Sequence, residues 1–345
     1  MTTPIDTEAL VIGAGPVGLF QVFQLGLQGI HCHVIDALPH VGGQCAELYA
    51  GKPIYDIPGI PFCTGIELVE RLEQQIVPFN PTLHLGQQVE SIERMPDQRF
   101  KVSTELGHTF HTNTLFIAAG VGAFVPRRMA LDGLSAFEGT QVFAENPDPE
   151  RWAGRHLVVA GEGDAALQTC LSALDGPLAA ASVTLLHRRD QFSAESELIA
   201  QMRQACADGR MRFVAGQPTG LRVANNHLQA LELLNPQGDA EWLSLDVLQT
   251  CLGLSPKLGP VAQWGLTMAR KQLVVNTENY GTSETGIFAV GDINTYPGKK
   301  KLILCGFHEA TLAAFGAVAL LRPAEKTLLQ YTTTSTLLHQ RLGIA

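Results

Sequence analysis

The stretch ALVIGAGPVGL, residues 9–19, decides the fold. Its apolar first half predicts a buried parallel strand, and the residues after the first glycine predict a helix that Gly29 ends. Gly13 permits the tight turn between strand and helix, Gly15 lets a diphosphate approach bare backbone, and Gly18 lets the helix pack closely on the sheet. Free amides and the positive end of the helix dipole then face the phosphates. The stretch therefore predicts a dinucleotide site.

The next apolar run, residues 33–36, predicts a second parallel strand that ends in an acid, Asp36. A carboxylate at this point accepts hydrogen bonds from both ribose hydroxyls of an adenosine. The alternative is a structural glycine turn followed by a solvated aspartate, because a GxGxxG motif alone is weak. The strand, the glycines and the acid together predict that the N-terminal part of the chain binds an adenine dinucleotide.

Composition limits the classes of protein to consider. The chain has 345 residues, 46% of them hydrophobic, which suits one large core or two moderate ones. Its formal net charge is −9 without a long run of one sign, so a general nucleic-acid binder is not expected. No secretion signal is visible, and the longest weakly polar run, residues 312–321, is expected to be too short to span a bilayer. We therefore expect a cytoplasmic protein that does not use a membrane.

The cysteines are scattered through apolar surroundings. There are seven, at positions 32, 45, 63, 170, 206, 251 and 305. An odd number without clustering argues against a disulfide framework and against a zinc site. We expect most of them to be small buried core residues and expect no metal site.

Residues 41–49 carry side chains suited to a flat polar ligand. Two glycines let backbone approach it, and Gln44 offers both a donor and an acceptor. Tyr49 would lay its ring against the ligand, and the alternative is an ordinary core tyrosine. Beyond this segment, the pattern predicts a loop over residues 53–61, a helix over 67–76, and strands over 88–92, 100–104 and 115–119.

A second strand–turn–helix pattern follows at residues 156–167, with Gly161, Gly163 and Ala166 in the glycine positions. The next predicted strand, residues 182–186, ends in His187-Arg188-Arg189 instead of an acid. A terminal carboxylate would repel a 2′-phosphate, whereas guanidinium groups attract it. The pattern indicates NADPH at this second site, and the alternative is a solvated basic turn.

A third block, residues 286–292, predicts a buried strand whose terminal glycine lets Asp292 project toward a ligand. Paired with the first motif, this aspartate is expected to hold the ribityl hydroxyls of a flavin. An apolar helix is expected to open at His308, and residues 331–336 form a segment rich in threonine and serine.

Together these motifs resemble ferredoxin (or flavodoxin)–NADP reductases of the thioredoxin-reductase-like type, within the two-dinucleotide-binding-domain flavoproteins. The resemblance extends almost from end to end, through the segments GGQCAELY, KPIYDIPGIP, AAGVGAFVPRR, HRRDQF, LGLSPKLGPVAQWGL, GDINTYPGKKKLIL, GFHEA and YTTTS. It implies an α/β fold with two Rossmann-like domains. The FAD-binding domain would comprise residues 1–122 and 254–345, and the NAD(P)H-binding domain would be inserted as residues 123–253.

The resemblance also implies roles for individual residues. Asp36 would bind the FAD ribose, Gln44 and Tyr49 the isoalloxazine, and Asp292 the ribityl chain. Val89 would meet the adenine through its backbone, Phe124 would pack near the cofactor, Thr333 would lie near the flavin ring, and a tail ring, for which His339 is the candidate, would cover its other face. The full expected set for the two cofactors is Gly13, Gly15, Pro16, Gly18, Asp36, Gln44, Tyr49, Val89, Phe124, Asp292, Thr333 and His339 for FAD, with Gly161, Gly163, Ala166, Arg188 and Arg189 for NADPH.

Four departures from related patterns bear on function. Glutathione-type reductases place a second cysteine five positions after the cysteine that corresponds to Cys45, and here that position is Ala50. Thioredoxin reductases carry a CxxC motif before the second glycine motif, and here the corresponding residues 142–149 contain no cysteine. Without a dithiol, electrons do not reach a disulfide substrate by exchange. Glu162 places an acid in the second glycine motif, and Ser193 stands where many relatives have an arginine for the 2′-phosphate. We therefore expect NADPH use with a weakened preference, which leaves NADH open.

The hypothesis is hydride transfer from NADPH to FAD, followed by single-electron transfer to ferredoxin or flavodoxin, without a conventional catalytic side chain. Domain rotation would use the crossings near Gly122 and Gly253. A basic rim for an acidic partner would come from Lys299, Lys300 and Lys301 or from Arg127 and Arg128. The resemblance implies a homodimer. The alternatives are another flavin-dependent NAD(P)H oxidoreductase, with quinone or oxygen as acceptor, and a non-catalytic nucleotide-binding regulatory protein.

Overall fold

The computed structural model describes residues 3–144, 147–325 and 329–344, and of Phe124 the backbone only. It divides into two compact units, which we call unit 1 (residues 1–123 and 256–345) and unit 2 (residues 124–255). The boundaries predicted from sequence, 122/123 and 253/254, lie within two residues of these. That the units are a FAD domain and an NAD(P)H domain stays a prediction at this point.

The strands, in chain order, are β1 Ile5–Ile12, β2 Cys32–Ile35, β3 Pro53–Ile54, β4 Cys63–Thr64, β5 Thr82–His84, β6 Val89–Arg94, β7 Phe100–Thr104, β8 Thr109–Ile117, β9 Ala123–Pro126, β10 Val142–Phe143, β11 His156–Gly161, β12 Ser182–His187, β13 Arg212–Ala215, β14 Gln217–Ala224, β15 His227–Leu234, β16 Ala240–Ser244, β17 Val247–Cys251, β18 Leu254–Lys257, β19 Met268–Ala269, β20 Gln272–Val274, β21 Ile287–Ala289 and β22 Asn294–Thr295. The α-helices are α1 Pro16–Leu27, α2 Gln44–Glu47, α3 Gly65–Ile76, α4 Pro149–Trp152, α5 Asp164–Ser172, α6 Ser196–Ala207, α7 Ile303–Leu321 and α8 Thr336–Arg341.

The main sheet of unit 1 has a parallel centre. Its order is β5-β2-β1-β8-β7-β6, and β21 also pairs with β8 in parallel. The central strands are apolar on both faces because helices cover them, as the continuous run over residues 9–12 predicts. The predicted strand over 115–119 is the second half of the longer β8, whose first half pairs with β7 in the antiparallel direction.

The carboxyl ends of four parallel strands meet at one edge of this sheet. In register, Ile12 of β1 lies between Ile35 of β2 and Ile117 of β8, and Ala289 of β21 pairs with Ile117 on the other side. The turns after these strands therefore lie side by side. In open α/β sheets, this is the edge where ligands bind.

Helix α7 begins at Ile303, five residues before the expected start at His308, so that expectation is wrong. Gly306 lies in the first turn of α7, although glycine weakens an isolated helix. In the structure, a Cβ at Gly306 would lie 2.4 Å from a methyl carbon of Val17, so glycine allows α7 to approach α1 closely. The residue serves helix packing and does not end a helix.

The nineteen residues of α7, with a mean hydropathy of 1.6, pass the length and composition test for a membrane-spanning helix. The expectation that no apolar run is long enough for a bilayer is therefore wrong. In unit 1, this helix packs along α1 and carries a fully buried glutamate, Glu309. Core helices of folded domains meet the same test.

Unit 2 contains a five-stranded parallel sheet in the order β10-β17-β11-β12-β13. Alternate residues of β11 point to opposite faces, so that Leu157 and Val159 join one apolar cluster while Val158 and Ala160 join another. A three-stranded antiparallel sheet, β14-β15-β16, contributes leucines such as Leu231 to the second cluster. Each fully buried leucine or valine adds about 1.5–3 kcal/mol of stabilisation.

Candidate functional site

The first glycine turn, residues 13–18, forms as the sequence predicts. Gly13 has φ +109°, and a Cβ there would lie 2.4 Å from the carbonyl oxygen of Ala118. A Cβ at Gly18 would lie 1.9 Å from the carbonyl oxygen of Gly13, so both positions require glycine. Pro16 opens α1 at its first position, where a missing N–H costs nothing.

Gly15 differs from its neighbours because nothing crowds it. Its φ is −71°, and the nearest atom to an added Cβ is the Cα of Gly43, 3.9 Å away. The N-terminus of α1 has no side-chain cap and no acid in its first turn, so its amides are available to an anion. Gly15 and Gly43 thus form an open cradle of bare backbone that fits a diphosphate.

Asp36 lies beside this cradle. Its carboxylate accepts the backbone N–H of Ala14 at 2.5 Å and that of Leu38 at 2.8 Å. Burial raises the pKa of the Asp36 carboxyl above its ordinary value, although these two hydrogen bonds act in the opposite direction. A carboxylate has about four acceptor sites, so two bonds to the turn leave capacity for ribose hydroxyls.

Gln44, Gly120 and Asp292 come together at the same sheet edge. Gln44 donates a hydrogen bond to the Asp292 carboxylate, and a Cβ at Gly120 would lie 3.4 Å from the Gln44 amide nitrogen. Burial raises the pKa of Asp292, while Lys299 and Lys301 act to lower it. Residues distant in sequence thus supply one cluster of polar groups.

Tyr49 is 42% exposed, so the alternative of a core tyrosine is wrong. The Lys52 ammonium nitrogen lies 5.5 Å from its ring centroid. Val89 is buried at the start of β6, close to Asp36, because the N–H of Gln87 donates to the Asp36 carbonyl at 3.0 Å. The side chain of Phe124 lies outside the described residues.

The C-terminal helix α8, which carries His339, contacts the C-terminal end of α1. The guanidinium of Arg341 in α8 donates to the carbonyl of Leu27, at the C-terminal end of α1. His339 lies in the same short helix, and its Nε2 contacts the carbonyl oxygen of Thr332 at 2.6 Å. Since α1 has twelve residues, it separates this tail from the first glycine turn by about 18 Å. The placement of Thr333 and His339 on the flavin ring stays a prediction.

In the second glycine turn, residues 161–166, one glycine is crowded and another is open, as in the first turn. A Cβ at Gly161 would lie 2.5 Å from the Cys251 carbonyl oxygen, and Ala166 is fully buried against the sheet. Gly163 is open, since an added Cβ would come no nearer than 3.7 Å to the carbonyl oxygen of Ser193. The backbone at Gly163 can therefore also accept a phosphate.

The acids of the second glycine turn are paired. Glu162 Oε2 lies 3.1 Å from Nε2 of His187, whose Nδ1 lies 2.8 Å from the Arg189 carbonyl oxygen. Asp164 accepts the N–H of Glu195 at 2.7 Å. Both ring nitrogens of His187 thus face oxygen atoms, one from Glu162 and one from the backbone of Arg189.

Arg188 and Arg189 follow as exposed residues. Within the described part of the chain, neither guanidinium forms an ion pair, whereas Arg203 nearby is paired with Asp190. Two free guanidinium groups at the end of the second strand of this fold suit a phosphate ester. Their position agrees with the one predicted from sequence.

The structure corrects the proposed basic rim. Lys299 has only 6% of its side chain exposed, and its ammonium nitrogen lies 2.5 Å from Oε1 of Glu309. Lys300 and Lys301 are exposed. In unit 2, Arg127 donates to the Leu254 carbonyl at 3.2 Å, and the largely exposed Arg128 pairs with Glu138. Lys299 therefore belongs to the interior of the site and not to a docking surface.

Glu309 is a buried charged residue at this site that the sequence analysis missed. It is fully buried and accepts hydrogen bonds from the Gly291 N–H and from the side chains of Asn294, Tyr296 and Lys299. The signal was present, because Glu309 is the only Asp or Glu between residues 302 and 321. A lone acid in an apolar helix indicates a buried, paired carboxylate.

Comparison with known proteins matches residues 7–311 to the family described as pyridine nucleotide-disulphide oxidoreductase. A ferredoxin–NADP reductase of Paracidovorax citrulli is 56% identical over 99% of this chain and 97% of its own. A ferredoxin–NADP reductase of Albidiferax ferrireducens is 54% identical, with the same coverage of both chains.

Solved structures show the same fold at low identity. Thioredoxin reductase from T. acidophilum has a TM-score of 0.57 and 18% identity, over 91% of this chain and 98% of its own. Bacillithiol disulfide reductase from Staphylococcus aureus has a TM-score of 0.61 and 14% identity, over 91% of this chain and 99% of its own. The fold is thioredoxin-reductase-like, as the resemblance implied.

Proposed function

The chain belongs to the pyridine nucleotide-disulphide oxidoreductase family, in its ferredoxin–NADP reductase branch, and we propose that it transfers electrons between NADPH and ferredoxin or flavodoxin with FAD as its cofactor. The observation that carries this proposal is the bare Gly15–Gly43 cradle at the N-terminus of α1, with Asp36 beside it and the Gln44–Asp292 pair on the same sheet edge. A second glycine turn with free guanidinium groups lies in unit 2.

Unit 1 would hold FAD through its own backbone and a few polar side chains. The α1 amides would bind the diphosphate, Asp36 the adenosine ribose, and Asp292 the ribityl hydroxyls. Gln44 would hold the polar edge of the ring system, and the exposed Tyr49 would lie against its face. Bound FAD would supply the ability to take up a hydride and release its two electrons singly.

Unit 2 would hold the nicotinamide coenzyme. The open backbone at Gly163 would receive its diphosphate, and Arg188 and Arg189 would attract a 2′-phosphate. Glu162 is not isolated in this arrangement, because its Oε2 lies 3.1 Å from Nε2 of His187. We propose NADPH as the preferred donor and NADH as a weaker one.

A protein that carries one electron is the acceptor we propose. The smallest spacing between two cysteines is 13 positions, from Cys32 to Cys45, so the chain has no CxxC motif for disulfide exchange. Two relatives above 50% identity are named ferredoxin–NADP reductases. The exposed Lys300 and Lys301 would attract an acidic partner, with Arg127 and Arg128 as a second contact.

We also propose that the protein is a cytoplasmic homodimer. Helix α8, which carries His339, contacts the end of α1 that lies opposite the first glycine turn. In a dimer, the tail of one copy can reach the site of the other. Sedimentation analysis tests this assembly, and a monomer at micromolar concentration contradicts it.

The decisive experiment is anaerobic stopped-flow mixing of the FAD-loaded protein with NADPH and, separately, with NADH. We expect bleaching of the flavin band that is faster at low NADPH than at equal NADH, and reoxidation on addition of ferredoxin or flavodoxin. Rapid reoxidation by quinone or oxygen alone would indicate another flavin-dependent reductase. A flavin band that NADPH does not bleach, or a protein that binds no FAD, would refute the proposal.

A further inference from the structure

The carboxylate of Glu309 lies at the centre of a buried polar network in unit 1. Oε2 accepts the N–H of Gly291 at 2.7 Å and the side-chain amide of Asn294 at 2.8 Å. Oε1 accepts the hydroxyl of Tyr296 at 2.9 Å and the ammonium group of Lys299 at 2.5 Å. Each oxygen thus has two donors, so the carboxylate is fully satisfied without water.

Lys299 closes the network on the other side of Gly291. Its ammonium group donates to the Gly291 carbonyl oxygen at 2.8 Å as well as to Glu309. Both the N–H and the C=O of Gly291 are therefore held by one ion pair. Gly291 has φ +80°, a conformation that glycine adopts without strain.

The next residue is Asp292, whose carboxylate accepts from Gln44 at the sheet edge. Fixing both polar groups of Gly291 fixes the direction in which the Asp292 side chain leaves the backbone. A shift of about 1 Å in such a group is enough to weaken binding and catalysis severely.

A buried ion pair adds little net stability to a turn, because both charges lose their contact with water. Desolvating a carboxylate and an ammonium group costs several kcal/mol each, and well-packed apolar residues often stabilise a protein as much. Stability alone therefore does not explain why α7 carries a fully buried glutamate. Burial and the bond to Glu309 also raise the pKa of the Tyr296 hydroxyl well above its ordinary value, so Tyr296 remains a donor to the carboxylate.

We propose that Glu309 and Lys299 are positioning residues of the flavin site, which hold Gly291 from both sides so that Asp292 faces the ribityl chain. This inference rests on the proposed function, because it assigns a purpose to the network only if unit 1 binds FAD. It also accounts for the burial of Lys299, the one lysine of its triplet that turns inward.

The test compares E309Q, K299M and the double variant K299M/E309Q with wild type. The matched control is E284Q, which breaks the exposed ion pair between Glu284 and Arg94 elsewhere in unit 1. For each apoprotein, two quantities are measured: the melting temperature, and the FAD dissociation constant from fluorescence titration. The midpoint potential of the bound flavin is then measured with reference dyes.

We expect each single variant to weaken FAD binding by about tenfold or more and to lower the melting temperature, since each leaves one buried charge unpaired. In the double variant, no buried charge is left alone, so the melting temperature should recover. FAD binding should stay weak and the potential shifted, because the Gly291 carbonyl has lost its donor. E284Q should match wild type in all three measurements.

The double variant decides the result even if a single variant does not fold. FAD binding that recovers together with the melting temperature would overturn the inference, since the network would then serve stability alone. A dissociation constant within about twofold of wild type in both single variants would also overturn it. Wild-type protein that binds no FAD would refute the proposed function itself, and the inference with it.

Discussion

The two glycine turns of this chain share a pattern but differ in charge. In the first, Gly15 faces Gly43, and the first turn of α1 contains no acid. In the second, Glu162 and Asp164 flank Gly163. The first turn presents bare backbone, whereas the two acids of the second turn contact His187 and the N–H of Glu195.

The difference in charge between the two turns is accompanied by a difference in the exposure of the charged residues beside them. Asp36 is tied to the first turn by two backbone hydrogen bonds and is partly buried. Arg188 and Arg189 are exposed and free of ion pairs in the described part of the chain. We infer that the first turn binds its dinucleotide tightly and that the second exchanges its coenzyme at each turnover.

The largest effect should come from filling the first cradle. G15A adds a methyl group in a permitted conformation, with no atom nearer than 3.9 Å, so the apoprotein should keep its melting temperature. FAD affinity should fall by about 100-fold, equivalent to about 2.7 kcal/mol, because the methyl group occupies the space of the diphosphate. Fluorescence titration of the apoprotein with FAD measures this change.

G163A is the matched control in the second turn, where the nearest atom to the new methyl group is 3.7 Å away. It should raise KM for NADPH and leave FAD affinity unchanged. Equal losses of FAD affinity in both variants would remove the distinction between the two turns.

A smaller effect is expected at the end of β12. The double variant R188A/R189A should raise KM for NADPH by about 10- to 100-fold, since charge-assisted hydrogen bonds to a phosphate contribute about 1.5–3 kcal/mol. KM for NADH should change little, because NADH lacks the 2′-phosphate. Steady-state kinetics with both coenzymes checks the prediction, and a parallel rise for NADH would contradict it.

A substitution of His187 tests whether its contact with Glu162 affects coenzyme binding. H187A should raise KM for NADPH by about fivefold, because it exposes the Glu162 charge to the coenzyme phosphates. Adding E162Q to H187A should restore most of the loss, while E162Q alone should have a smaller effect than H187A. This double-mutant cycle measures the interaction between Glu162 and His187. Strictly additive free-energy changes, calculated from the KM values, would show that the two residues do not interact.

The smallest effect that we expect is the pH dependence of the stability of unit 1. His33 Nδ1 and His84 Nε2 lie 2.9 Å apart, so one ring must be neutral to accept. Burial lowers the pKa of His33, and the neighbouring His84 and His31 lower it further. Burial and the neighbouring His108 lower the pKa of His84 in the same way. A lowered folded-state pKa means that the unfolded chain binds more protons, so stability should fall as pH drops below the ordinary histidine value of about 6.5.

Melting curves at about pH 7.5 and pH 5.5 measure this loss. In H84Q, which cannot titrate at this position, the drop in melting temperature should be smaller than in wild type. An equal drop in both would assign the pH dependence to other groups.

Much of the fold followed from local pattern. The first glycine turn, the strands at residues 100–104 and 182–186, and the basic end of β12 could be predicted because strand periodicity and glycine positions are properties of a few neighbouring residues. The start of α7 could not, because Gly306 is explained by contact with Val17, a residue almost 300 positions away. The inward turn of Lys299 has the same cause, since its partner Glu309 lies on another element.

By itself, the sequence determined two dinucleotide turns, a flavin-type GD block and the absence of a dithiol, because each depends on residue identity at short spacing. Only the tertiary structure decided which charges are exposed. It buried Lys299 against Glu309, paired Glu162 with His187, and left Gly15 open opposite Gly43. The physical reason is that burial and pairing are set by the packing of distant segments, and the free energy of a charge depends on those surroundings more than on its neighbours in the chain.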